Sequence, residues 1–171
     1  MKSYIQSIIL HYLFKSPGYP IYESMISYYG GIAKPYRFLE TEKGFCLDLD
    51  YLKKQISNKT RFFIYNNHQN PMAIQSSDEE MKELASLCIK NNLLVLSDEA
   101  YFHLVYEGTS KSIVSLEGMQ ERTVILYTYS KTFSMTGWRL GAAIGPKWII
   151  DGINKLNVND EGCTTNFIQV T

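Results

Sequence analysis

The apolar positions change period several times along the chain, and each change marks an element. Met81, Leu84, Ala85 and Cys88 recur at i, i+3, i+4 and i+7, one face of an α-helix, and Ser77 with Glu80 forms a capping box ahead of them. Asn91-Asn92 stops that helix. On either side lie unbroken β-prone runs at 61–65 and 93–96, with a third at 124–127, the pattern of strands covered on both faces. Earlier in the chain Ile21, Met25 and Tyr28 sit at helical spacing, and Gly30-Gly31 ends that element where a left-handed cap is needed. Asp48 is placed to cap a helix whose Leu49, Leu52 and Ile56 share one face. Residues 8–14 and 35–38 predict two further strands, 140–145 a strand rich in small residues, and Trp148, Ile149, Ile150, Ile153 and Leu156 a closing helix.

Strand, helix, strand is therefore the repeating unit. Such units wind right-handedly into a mostly parallel sheet with helices on both faces, a three-layer α/β/α sandwich. At 171 residues, 45% hydrophobic and 13% aromatic, the chain suits one domain with a real core. Basic and acidic residues each number 17, so no net field draws it toward nucleic acid or anionic lipid, and neither is expected as a partner. Cys46, Cys88 and Cys163 are widely spaced with no CxxC, and His11, His68 and His103 have no metal-ligand spacing. Reduced thiols, no metal and a cytoplasmic location follow as the expectation. The apolar run at 8–14 is broken by His11 and Tyr12 and lacks a small-residue cleavage site, so it reads as a strand rather than a signal peptide.

The chemistry-bearing stretch is Tyr127-Thr128-Tyr129-Ser130-Lys131-Thr132, which leads on to Arg139, together with Ser97-Asp98-Glu99-Ala100-Tyr101 upstream. Lys131 stands where the chain leaves a strand, and strand ends form the ligand crevices of α/β sheets. An amine there, flanked by hydroxyls and followed by an arginine, suits a Schiff base to an aldehyde cofactor that carries a phosphate. Asp98 ends a neighbouring strand and would keep a pyridine nitrogen protonated. Glu99 should point away from Asp98 by strand alternation and take part in a structural salt bridge. His68, a single loop histidine, is more economically a satisfied side chain than a base.

These segments, and the stretch Ser-Lys-Thr-Phe-Ser-Met-Thr-Gly-Trp-Arg-Leu-Gly in particular, resemble the class I/II aminotransferases, pyridoxal-phosphate enzymes of fold type I. The likeness runs from about Ser16 to the C-terminus. It implies that Lys131 is the Schiff-base lysine, that Asp98 pairs with the pyridine nitrogen, and that Tyr101 and Asn70 donate to the ring oxygen. It further implies phosphate contacts from Arg139, Thr128 and Ser130, and an aromatic stack from Tyr19. The catalytic set would be Lys131, Asp98 and Tyr101. The family pattern Asn-Pro-Thr-Gly is here Asn70-Pro71-Met72-Ala73, without the hydroxyl and the glycine.

What the resemblance implies is a partial large domain over 1–171, with the 140–145 strand antiparallel and the family's N-terminal segment and small C-terminal domain lying outside it. The parent activity would be amino transfer between an amino acid and a 2-oxo acid in a homodimer. Two alternatives stay open: lyase or synthase chemistry from the same lysine, and a non-catalytic cofactor-binding or structural remnant.

Overall fold

The computed structural model describes residues 10–16, 18–42, 44–160, 162–164 and 166–169. Its main sheet has six strands in the order β2-β1-β5-β6-β7-β8. These are β1 (His11–Lys15), β2 (Ile32–Tyr36), β5 (Thr60–Tyr65), β6 (Leu94–Asp98), β7 (Thr123–Thr128) and β8 (Gly141–Ile144). The first five are mutually parallel and β8 runs antiparallel to β7, as expected. The strand expected over 8–14 is β1 where it falls within the described residues.

Helices α2 (Leu49–Gln55) and α3 (Asp78–Lys90) cover one face. Leu52, Met81, Leu84, Ala85 and Cys88 meet Leu13, Phe63, Tyr65 and Val95 of the strands in one buried cluster. Helix α1 (Ile21–Tyr28) covers the other, where Ile26 packs with Phe14 and Ile64. Strand residues thus alternate between two helical layers, because successive Cβ atoms point to opposite faces. Burying one such Leu or Met contributes about 1.5–3 kcal/mol, so α3 is held by its inner face far more than by helix propensity.

The capping box forms. Ser77 Oγ accepts from the Glu80 amide at 3.1 Å, and Glu80 Oε2 accepts from the Ser77 amide at 2.9 Å. The other Glu80 oxygen accepts the Leu47 amide at 2.7 Å and ties α3 to the strand before α2. Gly30 closes α1 at φ +79°, where a Cβ would be strained.

Two expectations are revised. The strand foreseen at 35–38 ends at Tyr36, the last residue in register with β1, and Phe38 begins a separate antiparallel hairpin of β3 (Phe38–Thr41) and β4 (Gly44–Leu47). Between them Arg37 turns out to pair with Asp48 at 2.9 Å, while Asp48 also caps α2 by accepting the Tyr51 amide. The hairpin escaped notice because most of it is exposed and lacks apolar alternation. The closing helix, α5 (Lys147–Asp160), forms but buries none of its residues: Trp148 is 63% and Leu156 71% exposed. No helix among the described residues is long and apolar enough to cross a membrane.

Candidate active site

Because β5, β6 and β7 are parallel neighbours, their C-terminal ends reach one edge of the sheet. Strand β5 leads into Asn66 and Asn70, β6 ends on Asp98, and β7 ends on Thr128. There α4 (Tyr129–Thr132) starts, with the Thr128 hydroxyl accepting the Ser130 amide at 3.2 Å. That single turn places Lys131 just past the strand. A crevice of about 810 Å³ opens at this edge. Tyr19, Asn70, Asp98, Tyr101, Thr128, Ser130, Lys131 and Arg139 all line it. Every site residue singled out from the sequence is therefore brought to one cavity.

Lys131 is exposed, and its Nζ lies 5.8 Å from the centre of the Tyr101 ring. Arg139 comes from the other side of β7, where the chain turns back into β8. Its backbone is left-handed at φ +55°, a conformation that strains a non-glycine residue, and its Nη1 donates to the Thr136 carbonyl at 3.2 Å.

Three neighbours of these residues were missed. The Tyr22 hydroxyl donates to Asp98 Oδ2 at 2.5 Å, while Asp98 Oδ1 accepts the Ala100 amide at 3.2 Å. Both carboxylate oxygens are thereby oriented. Burial raises the Tyr22 phenol far above its ordinary range, and the Asp98 carboxylate raises it further, so the phenol remains a donor. Asn66 spans two strand ends: its Nδ2 donates to the Asp98 carbonyl at 3.0 Å and its Oδ1 accepts the Asn70 amide at 3.2 Å. Met25 adds an apolar wall from α1. A signal for Tyr22 existed, since it stands one turn after Tyr19 on a helix that also carries Met25.

Glu99 does turn away from the crevice, as alternation required, but it makes no salt bridge among the described residues. The Ser97 hydroxyl donates to its Oε1 at 3.0 Å, and the Ser112 hydroxyl donates to the same oxygen. Only 6% exposed, the carboxyl is pushed above its ordinary pKa by burial, with the two serines acting in the opposite direction. Hydroxyls replace the expected cation because this side of the strand end faces the core. His68 does not line the crevice; its Nε2 lies 3.4 Å from Ser110 Oγ and burial lowers its pKa.

The profile of the family "Aminotransferase class I and II" matches residues 11–162. The chain belongs to this family. It is 36% identical over 159 residues to aromatic-amino-acid aminotransferase 2 of Thermococcus litoralis and 37% identical to an aspartate aminotransferase of Pyrococcus abyssi. Each alignment takes in 92% of this chain and 40% of the relative. Among solved structures, the aromatic aminotransferase of Pyrococcus horikoshii superposes with a TM-score of 0.90 at 35% identity, covering 96% of this chain and 44% of that one. The chain thus spans about 40% of the length of the curated relatives it matches.

The aminotransferase family works with pyridoxal phosphate, and the donor set in the crevice fits that group. It combines a free amine, a carboxylate already held by Tyr22 and a backbone amide, phenol and amide donors at Tyr101 and Asn70, and a guanidinium with hydroxyls at Thr128 and Ser130.

Proposed function

We propose that these 171 residues are part of the large, cofactor-binding domain of a pyridoxal-phosphate-dependent aminotransferase that moves an amino group between an amino acid and a 2-oxo acid. The observation that carries this reading is the delivery of Lys131 and Asp98 by adjacent parallel strands into one crevice that Arg139 also enters. When bound, the cofactor supplies an electron sink for negative charge developing at the substrate α-carbon. Asp98 would accept a hydrogen bond from the protonated ring nitrogen and so keep the proton there, and Tyr22 keeps that carboxylate aimed. Asn70 and Tyr101 would donate to the ring oxygen, Tyr19 would stack on the ring face, and Arg139 with Thr128 and Ser130 would take the phosphate, the guanidinium fork matching its oxygens.

Lys131 Nζ has two tasks. It would be the amine that holds the cofactor's aldehyde carbon, and as a free amine it would take up the α-proton of the amino acid and return it. Its position on a capped turn beside the Tyr101 ring keeps it in the crevice in both roles. The whole protein would act in the cytoplasm as a homodimer, the assembly typical of this family.

Pyridoxal phosphate added to the purified chain should give a visible imine absorbance, and borohydride reduction followed by peptide mapping should place the label on Lys131. Lys131→Ala should abolish that label. A label mainly on other lysines, or one unchanged in the variant, would defeat the assignment. Turnover by the 171 residues alone should be small, because they span about 40% of the length of the relatives and a misplacement of about 1 Å among reacting groups already costs on the order of a hundredfold.

A further inference from the structure

Lys15 ends β1 with its side chain turned inward. It is only 7% exposed. Its Nζ lies 4.4 Å from the centre of the Phe38 ring, and the acceptor facing it is the Met72 sulfur at 4.0 Å. No carboxylate pairs with it among the described residues. Tyr36, in register with Lys15 on β2, is the adjoining titratable group, and burial keeps that phenol neutral. A ring face and a thioether are weak partners for a buried cation, since thioether sulfur is a poor acceptor. Met72 itself is partly exposed, on a surface loop whose thioether lies against the ammonium. The loop carrying both Asn70 and Met72 is short and internally bonded: the Met72 amide donates to Gln69 Oε1 at 3.0 Å and the Gln69 amide to the Ile74 carbonyl at 3.1 Å.

We propose that Met72 is an oxidation site whose sulfoxide is captured by the Lys15 ammonium, locking the loop that carries Asn70 into the crevice. The oxidant is a peroxide. The thioether sulfur attacks one oxygen of hydrogen peroxide, an S–O bond forms as the O–O bond breaks, and the departing hydroxide takes up the proton shed by the transferred oxygen and leaves as water. Sulfur is oxidised by two electrons and the peroxide is reduced by two. The S–O dipole gives the buried ammonium the strong acceptor it lacks.

The consequence is readable without any activity. Burial lowers Lys15 to about 8, so the folded protein releases this proton before the unfolded chain does. Fewer protons bound in the folded state means that the contribution of Lys15 to stability rises with pH from about 8 until the unfolded lysine also titrates. A captured sulfoxide restores the charged form and removes that rise.

Hydrogen peroxide is the probe, with peptide mass spectrometry to locate the added oxygen and thermal unfolding from pH 7 to 10 as the readout. The expected result is oxygen on Met72 and a treated-minus-untreated difference in melting temperature that falls from pH 8 to 10 as the Lys15 contribution is lost, while the buried Tyr22, Tyr36, Tyr65 and Cys88, whose raised values make stability fall with pH, titrate alike in both samples. Met72→Leu controls for other oxidised positions such as the exposed Met25, and its profile should be unaltered by peroxide. In Lys15→Met the effect of peroxide should no longer depend on pH, and oxidation of Met72 should lower the melting temperature. A Met72 that stays reduced while Met25 is oxidised, a wild-type treated-minus-untreated difference that does not fall between pH 8 and 10, or a fall that persists in Met72→Leu would each overturn the proposal. Should Lys15→Met not fold, the wild-type and Met72→Leu profiles decide alone.

Discussion

Replacing Ser112 by alanine removes one of the two hydroxyls that hold the buried Glu99 carboxylate. The remaining donor, Ser97, lies 3.0 Å away and is itself 1% exposed, so water has little room to substitute. A hydrogen bond to a charged group is worth about 1.5–3 kcal/mol net. At about 2.1 cal/mol/K per residue the entropy of unfolding lowers the melting temperature by about 2–4 °C per kcal/mol, giving a drop of about 3–12 °C near neutral pH. The pH dependence is the sharper part. Glu99 is raised above the ordinary carboxyl value, so the folded state holds its proton longer than the unfolded chain. Its contribution is fully present below the unfolded value and declines as pH rises through the folded one. Removing a donor to the ionised form steepens that decline. The deficit of Ser112→Ala should therefore be large at pH 7.5 and shrink toward pH 4.5, where a neutral carboxyl needs fewer donors. Calorimetry at both pH values measures it, and an equal deficit at the two would refute the view that the serine supports a charge rather than filling space.

Glu80→Ala should cost about 2–4 kcal/mol in urea unfolding, more than Ser77→Ala at about 1 kcal/mol, because it strands the Leu47 amide as well as undoing the cap. Equal costs would show that the tie to β4 contributes nothing. Gly141→Ala should destabilise the β7–β8 pair, since an added Cβ would sit 2.8 Å from the Tyr127 carbonyl oxygen. Faster amide exchange at β8 than at β5 in the variant would report it, and an unchanged exchange pattern would count against the contact.

Periodicity in the sequence was enough for the order and type of the main elements. The capping box at Ser77 and Glu80 and the four buried residues of α3 rest on local rules whose physical basis is short-ranged: which face is apolar, and which side chain satisfies a helix end. The parallel order followed from the alternation of strand and helix, and the antiparallel β8 from the family resemblance. Of the eight residues of the candidate site, Asp98, Thr128, Ser130 and Lys131 were legible because they sit at or just past strand ends, which a parallel sheet gathers at one edge, and Arg139 because it follows the lysine; Asn70, Tyr101 and Tyr19 were legible only through the family resemblance. Only the tertiary structure decided what surrounds them. The Tyr22 phenol reaches Asp98 across 76 positions of sequence, Asn66 ties two strand ends, and Ser112 supplies Glu99 in place of a cation. Lys15 and Met72, 57 positions apart, become neighbours only because β1 and β5 pair. Hydrogen bonds of this kind depend on distances between elements, and no period along one element encodes how far it lies from another.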